Sequence, residues 1–275
     1  MAEYTIDHRV SHADVDFLGE LKVSALLGLL EQAAVEASTA AGFDAARYTR
    51  DGGLWIIRRT HLQRRVPVGG TDRVEVDTHV TDFRRARSLR RYVVRRDATV
   101  VADATTDWVY CDLHSGRPIR IPEALRRALG NGASPPMLPR PPALPLADGP
   151  PDVTHEITTQ PSHLDHVAHV NNAVYANFLE DAAFALFAQH RWPLERMLQD
   201  GGALRLNVLD YEYLSDAVAG ERLVIRNWLA DAATLPRTAT VSQTIARADG
   251  SLVLRARSAW VWRRKPHVVG GVPLD

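Results

Sequence analysis

Cysteine is nearly missing from these 275 residues: Cys111 is the only one, so no disulfide within the chain can brace the fold. Lysine is almost as scarce. Lys22 and Lys265 are the only two, and arginine carries the remaining positive charge in a chain whose formal net charge is zero. A balanced charge excludes a global pull toward nucleic acid or an acidic membrane surface. No apolar run approaches the length of a membrane span, and the opening MAEYTIDHRVSHADVD lacks the apolar stretch of a signal peptide. The cytoplasm is the expected compartment, with neither membrane nor nucleic acid as a partner. What remains is ordinary for a globular protein, 45% hydrophobic and 24% charged.

The most informative stretch is DHVAHVNNAVYANFLEDAA, Asp165 to Ala183. Asp165 is followed four residues later by His169, then by Asn171 and Asn172, and there an amphipathic helix begins. This order sets a carboxylate and an imidazole in a loop against a helix N-terminus, where backbone N–H groups are free and the dipole is positive. A carbonyl turning into an oxyanion is stabilised in such a place, and a water held by Asp165 or His169 can attack it. Asn171 or Asn172 also suits the helix N-cap. The other reading of Asp165 is a brace for the turn. His163, His166 and His169 recur every third residue, but in a loop with no cysteine, so no metal and no organic cofactor is expected.

The same stretch has a counterpart 149 residues earlier. Asp16 falls on Asp165, Glu20 on His169, Glu31 on Glu180, and Gly52-Gly53 on Gly201-Gly202; with slight slippage Trp108 falls on Trp260. Matches kept in order over such a length indicate an internal duplication. Glu31 and Glu180, two turns into their helices, suggest a structural pairing between the copies. Between the copies, Gly130 to Pro151 holds half of the chain's sixteen prolines and behaves as a stiff extended linker. The division is then 1–129, linker 130–152, and 153–275. In each half the pattern predicts a short strand, the motif loop, a long helix (Lys22 to Ala41, Asn172 to His190) and four half-buried antiparallel strands. Both helices are apolar nearly all round, as a helix wrapped by its own sheet must be. The run FRRARSLRRYVVRRD, Phe83 to Asp97, suits the solvated face of a strand hairpin, or else a docking surface for coenzyme A phosphates or an acidic carrier.

These features together resemble a known family. The duplicated helix-in-a-curved-sheet pattern looks like a double hotdog, an α+β fold. DHVAHVNNAVY is similar to the D-x-N-x-H-V-N-N-x-x-Y motif of acyl-carrier-protein thioesterases, and HADVDFLGELK resembles the D-x-D-x-x-G loop of the 4-hydroxybenzoyl-CoA thioesterase superfamily. The resemblance implies a thioesterase acting on acyl thioesters of acyl carrier protein or coenzyme A, without cofactor. It implies Asp165, His169 and Asn171 as catalytic residues and Val170, Asn172 and Tyr175 as substrate-binding residues. Asp14 and Asp16 form a second candidate site in the first half. Val167 stands where the family has Asn, and Leu214-Ser215 where it has a Glu-Cys pair. A double-hotdog hydratase or dehydratase and a non-catalytic acyl-thioester-binding protein are the alternatives. One chain is expected to form a pseudo-dimer, able to stay monomeric or to pair as a homodimer.

Overall fold

Two eighteen-residue helices of one length and one offset dominate the chain. The computed structural model describes residues 3–130 and 143–265. Helix α1 spans Val23–Ala40 and α4 spans Asn172–Gln189. Their starts lie 149 residues apart, as do those of β1 (Tyr4–Arg9) and β6 (Val153–Thr158), and of β2 (Gly53–Arg64) and β7 (Gly202–Tyr213). Leu26, Leu27, Leu30 and Ala33 of α1, and Phe178, Leu179, Ala182 and Leu186 of α4, are buried, as the apolar patterning requires.

Each helix lies against its own antiparallel strands. The first half contributes β1, β2, β3 (Arg73–Phe83), β4 (Arg87–Arg96) and β5 (Thr99–Asp112). The second contributes β6, β7, β8 (Arg222–Leu229), β9 (Thr238–Arg247) and β10 (Leu252–Arg264). All ten strands join in one sheet, ordered β1-β3-β4-β5-β2-β7-β10-β9-β8-β6. The halves meet where β2 pairs with β7, Thr60 opposite Tyr211 and Leu62 opposite Leu209. On the outer face Arg59 clamps this seam with two 2.7 Å bonds to Asp210. The sheet's two edges, β1 and β6, are only six residues long, which leaves little open backbone for edge-to-edge association. The two helices pack against each other beneath the sheet, so the N-terminus of each lies beside the other half.

Three short helices were absent from the sequence pattern: α2 (Ala45–Asp51), capped by Asp44, α3 (Glu123–Gly130), which follows Pro122, and α5 (Leu194–Gln199), which follows Pro193. They are too short for a periodic apolar signal. Most of the Pro-rich segment, residues 131–142, lies outside the described residues. Beyond it the chain runs against β8, where Asp152 N–H donates to Asn227 O at 2.9 Å and Trp228 Nε1 to Gly149 O at 3.2 Å. Among the described residues no helix is long and apolar enough to cross a membrane.

Candidate active site

The motif loop is a tight hairpin-like turn, closed by a bridge between Leu164 and Val170. Asp165 holds it from within: Oδ1 accepts the N–H groups of Val167 at 2.9 Å and His169 at 3.2 Å. Asp16 does the same in the first half, accepting from Leu18 at 2.7 Å and Glu20 at 3.3 Å. The Asp165 carboxylate therefore shapes the turn and makes no side-chain bond to the imidazole. His169 pairs instead with Asp216, Nε2 to Oδ2 at 3.2 Å, and its side chain is 43% exposed. Sequence reasoning missed Asp216, which sits in the loop after β7 with no motif to mark it.

The helix N-terminus is partly used by the protein itself. Val170 N–H donates to Ala217 O and Asn171 N–H to His163 O, at 2.8 and 2.9 Å. Asn171 is the N-cap, its Oδ1 accepting from Ala173 N–H at 2.8 Å. The expectation that Val170 and Asn171 offer free N–H groups to a ligand is thus corrected: both are spent on loop backbone. Asn172 N–H has no acceptor among the described residues.

Asn172 is the residue that faces the neighbouring half. Its Nδ2 donates to Oε2 of Glu31, on α1, at 2.7 Å. Its carbonyl accepts from Tyr213 Oη at 2.8 Å. Tyr175 is buried one turn along, its ring edge-on to Phe178 and Tyr213, and so packs behind the site. Asn172 and Glu31 line a narrow cavity with Ile57, Thr60, Tyr92 and Trp108. The space open to the centre of a water-sized sphere there is about 10 Å³, enough for one water. Burial raises the Glu31 pKa, the Asn172 bond opposes the shift, and the nearby Asp165 charge adds to it. A carboxylate made more basic and bonded to an amide at a helix N-terminus can take a proton from a water held in that cavity.

The equivalent place in the other copy is filled. Arg205, on β7, meets Asp16 through Nη1 and Glu20 through Nε, the latter at 3.3 Å. Arg64, on β2, reaches Glu20 at 3.3 Å and Leu206 O at 3.2 Å. Burial pushes Arg64 down to about 10, and pushes Glu180, the counterpart of Glu31, up to about 7. By the 149-residue offset, Ile56 and Tyr213 stand where the other copy has Arg205 and Arg64, so no buried arginine pair closes the site beside Glu31. Asp14 and Asp16 are not brought together as a site. Asp14 caps a short 3-10 turn, accepting from Ser11 N–H at 2.9 Å and Ser11 Oγ at 2.6 Å, and these bonds lower its pKa. Asp16 is held by Arg205.

The arginine-rich run is mostly neutralised. Arg84, Arg87, Arg95 and Arg96 pair with Asp82, Asp107, Asp77 and Asp72, and Arg90 is buried. Among the described residues no group of three His, Cys, Asp or Glu is placed to hold a metal ion.

Residues 2–129 match the acyl-ACP thioesterase N-terminal domain family. A proposed oleoyl thioesterase from Lactobacillus plantarum superposes with a TM-score of 0.78 at 19% identity, over 94% of this chain and 96% of that one. The 12:0-ACP thioesterase from Umbellularia californica gives 0.77 at 17%, over 95% and 94%. An acyl-ACP thioesterase from Bacteroides thetaiotaomicron gives 0.73 at 18%, over 95% and 98%. At these identities the likeness is one of fold. No curated protein matches the chain.

Proposed function

We propose that this chain, which has the double-hotdog fold and whose residues 2–129 match the acyl-ACP thioesterase N-terminal domain family, hydrolyses acyl thioesters in the cavity between Asn172 and Glu31. The observation that carries this reading is the 2.7 Å bond between those side chains at the N-terminus of α4. The thioester carbonyl oxygen lies against Asn172 N–H, where the helix dipole favours developing negative charge. Glu31 holds the water in the cavity and takes its proton as the oxygen attacks the carbonyl carbon. The tetrahedral intermediate collapses by expelling a thiolate, which leaves without a strong acid because thiol pKa values are near 8.5. The products are a carboxylic acid and a free thiol.

Asp165 supports the site by holding the motif loop and by keeping Glu31 basic through its charge. His169, oriented by Asp216, stands on the same loop at the surface, where it exchanges the proton with solvent. The family match favours acyl carrier protein as the thiol carrier, with coenzyme A as the second choice. The test is release of free thiol from a panel of acyl-carrier and acyl-CoA thioesters. Asn172→Ala is expected to lower turnover ~100-fold, the scale of an oxyanion donor, and His169→Ala by less, about tenfold, as a proton-exchange group. Equal activity of Asn172→Ala and wild type speaks against the reading.

A further inference from the structure

The seam between β2 and β7 joins the two copies, and the 149-residue offset maps one of its strand pairs onto another. Thr60 stands opposite Tyr211, and the corresponding pair, two residues along each strand, is Leu209 opposite Leu62. All four side chains are buried on the face turned toward the helices. Leucine therefore serves the fold at this place, where the other pair carries two hydroxyls. Thr60 lines the cavity beside Glu31 and Asn172, and the two leucines do not. Hydroxyls buried in place of leucines are costly unless they have partners.

The partners form a line with one direction. At its far end Tyr213 Oη donates to Asn172 O at 2.8 Å. A carbonyl only accepts, so the one hydrogen of the Tyr213 hydroxyl is committed to it. The rings of Tyr213 and Tyr211 meet edge-on, with 5.1 Å between centroids. Burial raises the pKa of Tyr211, and hydrogen bonding with the hydroxyls of Tyr213 and Thr60 opposes the rise. With the Tyr213 hydrogen committed, Tyr211 gives its own to Tyr213 Oη, and Thr60 gives its own to Tyr211 Oη. Thr60 Oγ then presents lone pairs, and no hydrogen, to the cavity. In the other copy Arg64 stands in the place of Tyr213 and turns to Glu20.

The cavity is sized for one water, which needs polar partners to stay there. We propose that Thr60 Oγ accepts one hydrogen of the attacking water while Glu31 accepts the other. This rests on the thioester reading above and adds to it the group that aims the nucleophile. With both hydrogens held, a lone pair of the water oxygen is turned to the thioester carbonyl carbon at Asn172. As the C–O bond forms, Glu31 takes the first proton. The second stays on the oxygen, held by Thr60, and becomes the hydroxyl hydrogen of the carboxylic acid. The C–S bond breaks with its electron pair on sulfur, and Glu31 passes its proton to solvent. Thr60 itself neither gains nor loses a proton.

The test measures kcat and KM for the acyl thioester that wild type hydrolyses fastest, and calorimetric binding of its non-hydrolysable thioether analogue. Thr60→Val keeps the shape and loses the hydroxyl. It is expected to lower kcat about tenfold or more, the scale of one hydrogen bond, with KM and analogue binding within about twofold of wild type. Thr60→Ser, which keeps the hydroxyl, is expected to regain most of kcat. Unchanged kcat in folded Thr60→Val overturns the inference. So does an equal loss in Thr60→Ser and Thr60→Val, or a loss confined to KM and analogue binding. Should Thr60→Val fail to fold, Tyr211→Phe answers the same question, because without its acceptor the Thr60 hydrogen is free to turn into the cavity. Unchanged kcat in Tyr211→Phe then overturns the inference. Glu31→Gln separates the two claims. Full turnover in Thr60→Val beside an inactive Glu31→Gln ends the inference and leaves the thioesterase reading. Loss in Thr60→Val beside full turnover in Glu31→Gln ends the role given to Glu31 and keeps Thr60 at the water. No thiol release by wild type from any acyl-carrier or acyl-CoA thioester contradicts both.

Discussion

Asn172 and Glu31, 141 residues apart, are joined by a 2.7 Å bond from the amide of one to the carboxylate of the other. One stands at the first position of the second long helix, the other two turns into the first. The cavity beside them therefore needs both halves of the chain, and the hydrolysis proposed here uses groups that neither copy supplies alone.

The charge of Asp165 helps to hold the Glu31 pKa above the usual carboxylate range. Hydrolysis that uses ionised Glu31 is lost as pH falls through that raised pKa. Asp165→Asn keeps an oxygen to accept the two loop N–H groups but removes the charge, so Glu31 ionises more easily. The acid limb of the kcat/KM profile is expected to move to lower pH, with turnover at neutral pH reduced by about tenfold or less. A lost activity with no movement of the acid limb would instead give Asp165 a direct chemical role.

Much of this architecture is legible in the chain itself. The 149-residue offset predicts two equal helices and two equal strand sets, and both occur because each copy must bury the same apolar stripe. The N-cap at Asn171 follows from local chemistry alone. Glu31 was harder: its match to Glu180 suggested that the two carboxylates pair with each other, whereas Glu31 bonds Asn172 at the N-terminus of α4 and Glu180 lies near the charges of Arg205 and Arg64. Asp216 lies in a loop with no periodicity, and only the folded chain brings it to His169. Arg90 is hidden in a run of arginines. Its alternation with Ser88, Tyr92 and Val94 would have put it on the buried face.

Ala168 adopts a left-handed backbone, φ 62°, where the first copy has Gly19 at φ 77°. A Cβ in this region costs ~1 kcal/mol, partly offset by the extra freedom of glycine in the unfolded chain. Ala168→Gly is expected to raise stability by ~0.5 kcal/mol in urea unfolding. A loss of stability would mean that the Ala168 methyl makes a contact worth more than the strain.

Glu180 gives the filled copy a pH dependence of its own. Burial raises its pKa to about 7 from an ordinary value of 4.5, so the folded chain binds the proton more tightly than the unfolded chain. That contribution to stability is complete below the unfolded value and is lost as pH rises through about 7. Glu180→Gln removes the titration. Its melting temperature relative to wild type is expected to rise between pH 5 and pH 8. A difference that stays constant across this range would show that Glu180 is already ionised at pH 5.

Arg205 holds Asp16 and Glu20 together in that same copy, with both arginine and acids nearly out of reach of water. Arg205→Met leaves two buried carboxylates without their shared partner. The loss expected in denaturant unfolding is ~3 kcal/mol or more, the scale of a broken buried ion pair. A change below ~1 kcal/mol would mean that the carboxylates are protonated or solvated once the arginine is gone.

The most direct measurement of the central claim is thiol release by wild type and by Glu31→Gln, each checked for an unchanged melting temperature. Wild type is expected to release thiol from at least one acyl thioester on a carrier protein or coenzyme A. Glu31→Gln, which keeps the shape and the bond to Asn172 but cannot take a proton, is expected to fall by ~100-fold or more. Undiminished turnover in Glu31→Gln would contradict the account.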